Sequence, residues 1–122
     1  MIVLYPKKEP AFTVEFMKEL KALANEKLWF AKIHGHEMQQ RGLPDIICSL
    51  NGVFLGIEFK IKRNNRVVIT PYQTFTKTIM EKSGGFCFII AHNEADATVD
   101  IDDITFKNKK EAASWLWSRF KP

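Results

Sequence analysis

The sequence predicts an α/β domain, a mixed β-sheet with helices packed on it. Three observations carry this. Two apolar runs, 45–50 and 53–61, flank Asn51-Gly52 and read as paired strands. The stretch from Thr70-Pro71 to Gly84-Gly85 carries start and stop signals of a helix. The run that follows, 86–91 (FCFIIA), is continuously apolar, as expected of a strand covered on both faces.

Along the chain, the first helix is expected to begin near Pro10, because proline suits a first helical position. Phe12, Phe16, Leu20 and Leu23 follow as one apolar stripe at helical spacing. Residues 28–34 (LWFAKIH) read as a strand and 34–42 (HGHEMQQRG) as a polar loop. Asn51 and Gly52 both tolerate positive φ, so they fit a two-residue type I′ turn between 45–50 and 53–61. Asn64-Asn65 marks another loop. The second helix is expected over 71 to about 82, with Thr70 as N-cap, Pro71 at the first position and Gly84-Gly85 as its end. After the strand at 86–91, residues 92–103 are polar and acidic and read as loop. A last helix over 109–120 carries Ala112, Trp115, Leu116 and Phe120.

A chain of 122 residues makes one domain, 1–122, long enough for a real core. With 46% hydrophobic and 26% charged residues it is expected to fold as a soluble protein. MIVLYPKKEP has too short an apolar run for a signal peptide, and nothing approaches a membrane-spanning length, so a cytoplasmic location without membrane partner is expected. Cys48 and Cys87 lie in apolar strand-like runs and read as small buried thiols, and no cysteine cluster suggests zinc. No phosphate-binding glycine loop, dinucleotide fingerprint or Ser/His/Asp or Cys/His nucleophile pattern occurs, so no small-molecule cofactor is expected. The net charge of +4 (pI about 9.1) is uneven. Lys60, Lys62, Arg63 and Arg66 form one basic group, and Lys107, Lys109 and Lys110 another. Such groups suit a polyanion such as nucleic acid, although either group alone would more simply be solvated lysines.

The hairpin register sorts the remaining charges. If Leu50 faces Val53, then Asp45 faces Glu58, on the same side of the sheet and with Cβ atoms roughly 5 Å apart. The other face carries Ile46, Cys48, Leu50, Val53, Leu55, Ile57, Phe59 and Ile61, all apolar, and must be the core face. Two facing carboxylates destabilise a sheet, and partial burial drives one of them to keep a proton. Lys60, two residues beyond Glu58 on the same face, relieves the clash, and so does a bound cation. A hard divalent ion takes one or two carboxylates and completes its shell with water and substrate phosphate. A lysine beside it can orient water or stabilise charge building on phosphorus. The plainer alternative is a structural Asp/Glu/Lys ion-pair group at a sheet end.

At these residues the sequence resembles the PD-(D/E)xK nuclease superfamily, and within it the VRR-NUC family of small phage and bacterial nucleases. The resemblance rests on Gly42-Leu43-Pro44-Asp45, Gly56-Ile57-Glu58-Phe59-Lys60, Thr70-Pro71-Tyr72-Gln73 and the GGFCFII run, and covers about residues 9–91. It implies a restriction-endonuclease-like core and a Mg²⁺- or Mn²⁺-dependent endonuclease acting on DNA in replication, recombination or repair. Asp45 and Glu58, with the Phe59 carbonyl, would hold the metal, Lys60 would be the catalytic lysine, and Gln73 would stand near the active site. The family's first-helix glutamate corresponds to Glu9, with Glu15 as runner-up; Thr13 stands where the family often has glutamine. Lys62, Arg63, Arg66, His34 and Tyr72 are the candidate DNA contacts. A homodimer acting on branched DNA such as a four-way junction is a further implication.

Several of these residues also have simpler roles. Thr70-x-x-Gln73 is a capping box. His34 and His36 bracket Gly35, and His-x-His on a loop is more often incidental than a site. Trp115 and Trp117 suit base stacking or, more simply, packing. A nucleic-acid-binding or interaction module that keeps the fold without activity is the alternative function.

Overall fold

The computed structural model describes residues 5–34 and 41–122, with side chains from residue 9 onward. The element order is α1 (Tyr5–Ala24), β1 (Leu28–Lys32), β2 (Ile46–Leu50), β3 (Val53–Lys62), α2 (Pro71–Lys82), β4 (Phe86–Asn93), β5 (Val99–Ile101), β6 (Ile104–Phe106) and α3 (Lys109–Phe120). The strands form one six-stranded sheet in sequence order. Every neighbouring pair is antiparallel except β3 and β4, which are parallel and joined through α2. The sheet is therefore mixed, as expected.

The β2–β3 hairpin has the expected register, with Leu50 facing Val53 and Ile46 facing Ile57. Asn51 and Gly52 take φ of 50° and 84°, the type I′ pattern. Asn51 also donates its side-chain N–H to the Phe120 carbonyl, 2.7 Å away, tying the turn to the end of α3. Ile46, Cys48, Leu50, Leu55, Ile57, Phe59 and Ile61 are buried in one cluster with Phe12, Phe16 and Leu20 of α1 and Ala112, Ala113 and Leu116 of α3. Both helices thus cover the core face. α2 crosses the opposite face, where its Met80 meets Gly56 and its Thr76 is buried.

Several expectations need correction. α1 begins at Tyr5 and runs through Pro10; Pro6 already supplies a tolerated first-turn proline, so the earlier start signal wins. Leu23 is 38% exposed, while Met17 and Ala24 are buried in its stead. Residues 92–103 are loop only at 94–98 and at the 102–103 turn. β4 extends to Asn93, and β5 and β6 form a hairpin that turns at Asp102, with φ of 53°. Each of these two strands is only three residues long, too short to show a period. The strand expected over 28–34 ends at Lys32, and β3 runs one residue further than expected, to Lys62. α2 and α3 have the expected bounds, and the capping box at Thr70 and Gln73 is formed.

Cys48 and Cys87 are buried free thiols, and burial pushes them up to about 12 and about 11. Trp115 and Trp117 pack against the core, Trp115 on Phe106 and beneath Arg119. Among the described residues no helix is long and apolar enough to cross a membrane.

Candidate metal and phosphodiester site

The site lies where β3 outruns β2. The β2 ladder ends with Ile46 opposite Ile57. Continuing the register places Asp45 opposite Glu58 and Pro44 opposite Phe59. Pairs in an antiparallel ladder alternate, and the turn-closing Leu50–Val53 pair fixes the phase, so Phe59 turns both its N–H and its carbonyl towards Pro44. Proline has no N–H to offer. The Phe59 N–H is taken instead by the Asp45 side chain, 2.8 Å to Oδ2. The Phe59 carbonyl points the same way, beyond the last rung. Pro-Asp at this position therefore ends the ladder and leaves a carbonyl beside a carboxylate.

The loop feeding Asp45 is shaped by close packing. Gly42 has φ of 81°, and a Cβ there would stand 2.4 Å from the backbone C and O of Tyr72. Only glycine lets this loop lie on the first turn of α2. A Cβ on Gly56 would meet Pro44 Cγ at 2.7 Å and Met80 Cε at 2.8 Å. The two glycines thus bring the Asp45 loop, the hairpin and α2 together.

Glu58 is 6% exposed. Its Oε2 accepts a hydrogen bond from Gln73 Nε2 and lies 3.5 Å from Lys60 Nζ. Its Oε1 is buried without a hydrogen-bond partner among the described residues. Burial, with the Asp45 charge next, pushes the Glu58 carboxyl up to about 8, against the pull of Lys60. Gln73 holds the capping box at the same time: its Oε1 accepts from Thr70 N–H (3.0 Å), and its own N–H donates to Thr70 Oγ1 (3.1 Å). One glutamine therefore starts the helix and bridges it to the acid.

Glu9, near the start of α1, belongs to the same neighbourhood. Burial and the Asp45 charge raise its carboxyl above the usual carboxylate range, while Lys60 and Arg63 pull it down. Glu15 points elsewhere and pairs with Lys109. Thr13 donates its hydroxyl to the Glu9 carbonyl, 2.9 Å away, inside the helix.

The basic candidates divide. Lys62 is bound to Asp100 at 2.8 Å and Arg63 to Glu94 at 3.5 Å. Arg66 is exposed on a turn where Asn64 and Asn65 have φ of 51° and 62°. Tyr72 is 52% exposed, with the Arg41 guanidinium 5.4 Å from its ring centroid. Sequence reasoning passed over Arg41; its place just before Gly42-Leu43-Pro44-Asp45 is the signal that would have found it. His34 is exposed next to the undescribed stretch, and His36 lies outside the described residues. A neighbouring groove of about 570 Å³ sets Glu81, Asp100, Asp102 and Asp103 against Lys62 and Lys77, an excess of acid over base.

Whether these residues fit a divalent metal turns on Glu58. An orphaned buried carboxylate oxygen facing a second carboxylate is what a cation would satisfy. Among the described residues no three His, Cys, Asp or Glu side chains converge as a ready-made cage. The donors at this end of the sheet are two carboxylates and a backbone carbonyl, a hard oxygen set of the kind a divalent ion could take together with water.

No family model matches the sequence, and no curated protein matches it closely enough to count as a relative. Solved structures do match. One is Hjc of Archaeoglobus fulgidus, a Holliday junction resolvase from an archaeal hyperthermophile. It superposes with a TM-score of 0.54 at 16% identity, over 79% of this chain and 72% of the other. Another is a VRR_NUC domain, with a TM-score of 0.54 at 17% identity, over 88% of this chain and 95% of the other. The chain thus shares the fold of these two structures, a mixed sheet with flanking helices; at these identities the likeness is one of fold.

Proposed function

We propose that the chain is a divalent-metal-dependent endonuclease that hydrolyses phosphodiester bonds in DNA. The observation that carries this reading is the Asp45–Glu58 pair, with a buried, unsatisfied Glu58 Oε1 and Lys60 beside it, at the ladder end of a nuclease-type fold.

Asp45, Glu58 and the Phe59 carbonyl would hold the metal, with Glu9 in the same charged neighbourhood. A bound Mg²⁺ or Mn²⁺ supplies a Lewis acid for the scissile phosphate and lowers the pKa of a coordinated water. Lys60 orients the attacking water and stabilises negative charge as it grows on the phosphate oxygens. Gln73 fixes Glu58 by donating to Oε2, which leaves Oε1 available to a ligand. Asp45 is fixed by the Phe59 N–H. The strand is held by Arg66, Arg41 and Tyr72 on the exposed side, with Lys62 and Arg63 contributing where DNA displaces Asp100 and Glu94. His34 is a further phosphate contact.

The fold it shares with a Holliday junction resolvase supports branched DNA as substrate; a homodimer as the working form, in recombination or repair, is part of the proposal. A two-fold assembly presents two sites to two strands. The location fitting this role is the cytoplasm of a bacterium or a phage-infected host.

The test is cleavage of labelled duplex, single-stranded, flap and four-way-junction DNA with Mg²⁺ or Mn²⁺, for the natural chain and Lys60→Ala. Metal-dependent cutting that disappears in the variant is the expected result. No cutting of any substrate, or equal cutting by both proteins, overturns the reading and leaves a non-catalytic binding module.

A further inference from the structure

At one edge of the sheet, beside β1, lies a surface that the proposed reaction does not use. In the strand order β1 to β6, no described strand lies outside β1. Its backbone alternates in direction. Ile33 N–H donates to the Asp45 carbonyl at 2.7 Å, so positions 29, 31 and 33 turn towards β2 and positions 28, 30 and 32 turn outward. The Leu28 carbonyl accepts from Lys21 Nζ at 2.8 Å. The outward N–H and carbonyl groups of Phe30 and Lys32 meet no described strand. Edges are usually blunted by charge, proline or cover; this one shows Trp29 and Phe30, 60% and 40% exposed.

Between this edge and α1 runs an apolar groove of about 340 Å³. Val14, Met17, Phe30 and Ile46 line it, and so do Lys18, Lys21 and Lys32; among the described residues no acidic side chain does. Helical spacing explains the sorting of charge: positions 14, 18 and 21 share one flank of α1. Glu15 lies on another flank, where it pairs with Lys109.

We propose that this groove and the open edge of β1 bind an extended, acidic segment of a partner protein with apolar anchors, laid along β1 as an added strand. Three features select this occupant. The outward backbone groups of Phe30 and Lys32 require both donors and acceptors, which a peptide backbone offers. An added strand turns alternate side chains into the groove, where the apolar floor takes Leu or Phe and the lysines take Asp or Glu at the rim. A nucleic-acid backbone supplies neither N–H donors for the carbonyls nor apolar groups for the floor. The groove also adjoins the candidate site, since Ile46 directly follows Asp45 and Thr13 contacts the Glu9 carbonyl. A docked partner would therefore sit beside the DNA without occupying the metal site, and its binding is independent of the nuclease reading.

The experiment uses the full chain and three labelled probes: a peptide alternating Glu with Leu and Phe, the same peptide with Lys for Glu, and a short oligothymidylate. Fluorescence anisotropy measures binding to the natural chain and to Lys18→Glu, Lys32→Glu and Phe30→Asp, all at positions outside the buried core. Binding of the acidic peptide is expected, with no binding of the basic one and a loss of roughly tenfold or more in each variant. Hydrogen exchange should show the Phe30 and Lys32 amides gaining protection when the acidic peptide is added. Failure to bind the acidic peptide, equal binding of both peptides, or affinity unchanged in all three variants would overturn the proposal. Oligothymidylate binding that depends on these lysines, without peptide binding, would make the surface a nucleic-acid contact and overturn it equally.

Discussion

Two charged clusters share the α2 side of the sheet, and they are built on opposite principles. Around Lys77 every charge is answered. Its ammonium meets the Cys87 carbonyl, Glu81 at 3.3 Å and Asp102 at 3.3 Å. Asp102 also accepts the Ile89 N–H at 2.9 Å, and Asp100 is shared between Lys62 and the Thr105 hydroxyl, at 2.8 and 2.7 Å. This cluster ties α2 and the β5–β6 hairpin to the sheet. Around Glu58 the balance fails: one lysine and one glutamine serve a single carboxylate oxygen, the other oxygen is orphaned, and a second acid stands opposite. A fold that needed only stability would have paired this second cluster like the first. Satisfied charge marks structure here, and the unsatisfied charge is what the proposed cation would answer.

The sharpest way to break the comparison is through activity. Lys60→Ala should lower cleavage by about 10²-fold or more while leaving the melting temperature nearly unchanged, since Lys60 acts on developing charge. Lys77→Ala should do the reverse: about 1–2 kcal/mol of stability lost in chemical denaturation, with Mn²⁺ affinity unaltered. If both variants lose stability and neither loses activity, the two clusters are of one kind.

Next comes pH. The Glu58 carboxyl is raised in the folded protein to about 8 from an ordinary 4.5. A folded state that holds a proton more tightly than the unfolded chain loses stability as pH rises between those two values. Without metal, the protein should therefore weaken from about pH 5 to pH 8 and level off above. Glu58→Gln, which cannot ionise, should flatten that slope and stabilise the metal-free protein at pH 8 by of the order of 2 kcal/mol. Denaturation in EDTA across this range checks both; a natural chain that gains stability towards pH 8 would contradict the assignment.

The loop geometry offers a further break. Gly42→Ala places a Cβ against the Tyr72 backbone at a φ of 81°, a strain of about 1–3 kcal/mol. Relief moves the Asp45 loop, so Mn²⁺ affinity should fall along with stability, measured by calorimetry. The smallest effect belongs to Arg66→Ala: DNA binding weakens about equally for all sequences, and the salt slope drops by about 1.

Much of this arrangement was legible in the sequence because it rests on short-range rules. Asn51-Gly52 dictates a two-residue turn, the turn dictates register, and register puts Asp45 opposite Glu58. Thr70 and Gln73 announce their helix through capping chemistry, and the same glutamine turns out to reach Glu58. Where the signal was tertiary, the sequence was silent. β5 and β6 have three residues each and exist because β4 and α3 shelter them, which no local pattern records. The choice between Glu9 and Glu15 depends on which way α1 rotates against the sheet; in the structure Glu9 lies near Asp45 and Glu15 beside Lys109. Lys62 and Arg63 read as free basic residues, and their partners Asp100 and Glu94 lie more than thirty positions on, in a segment read as loop.

The central claim is that the Asp45–Glu58 clash is kept for a divalent cation, and calorimetric titration of Mn²⁺ into the metal-free protein at pH 8 tests it most directly. Saturable binding near one ion per chain, lost in Glu58→Gln and retained in Lys77→Ala, is the predicted result. No heat of binding, or binding that Glu58→Gln leaves untouched, would contradict it and return the pair to an ordinary, if costly, feature of the sheet end.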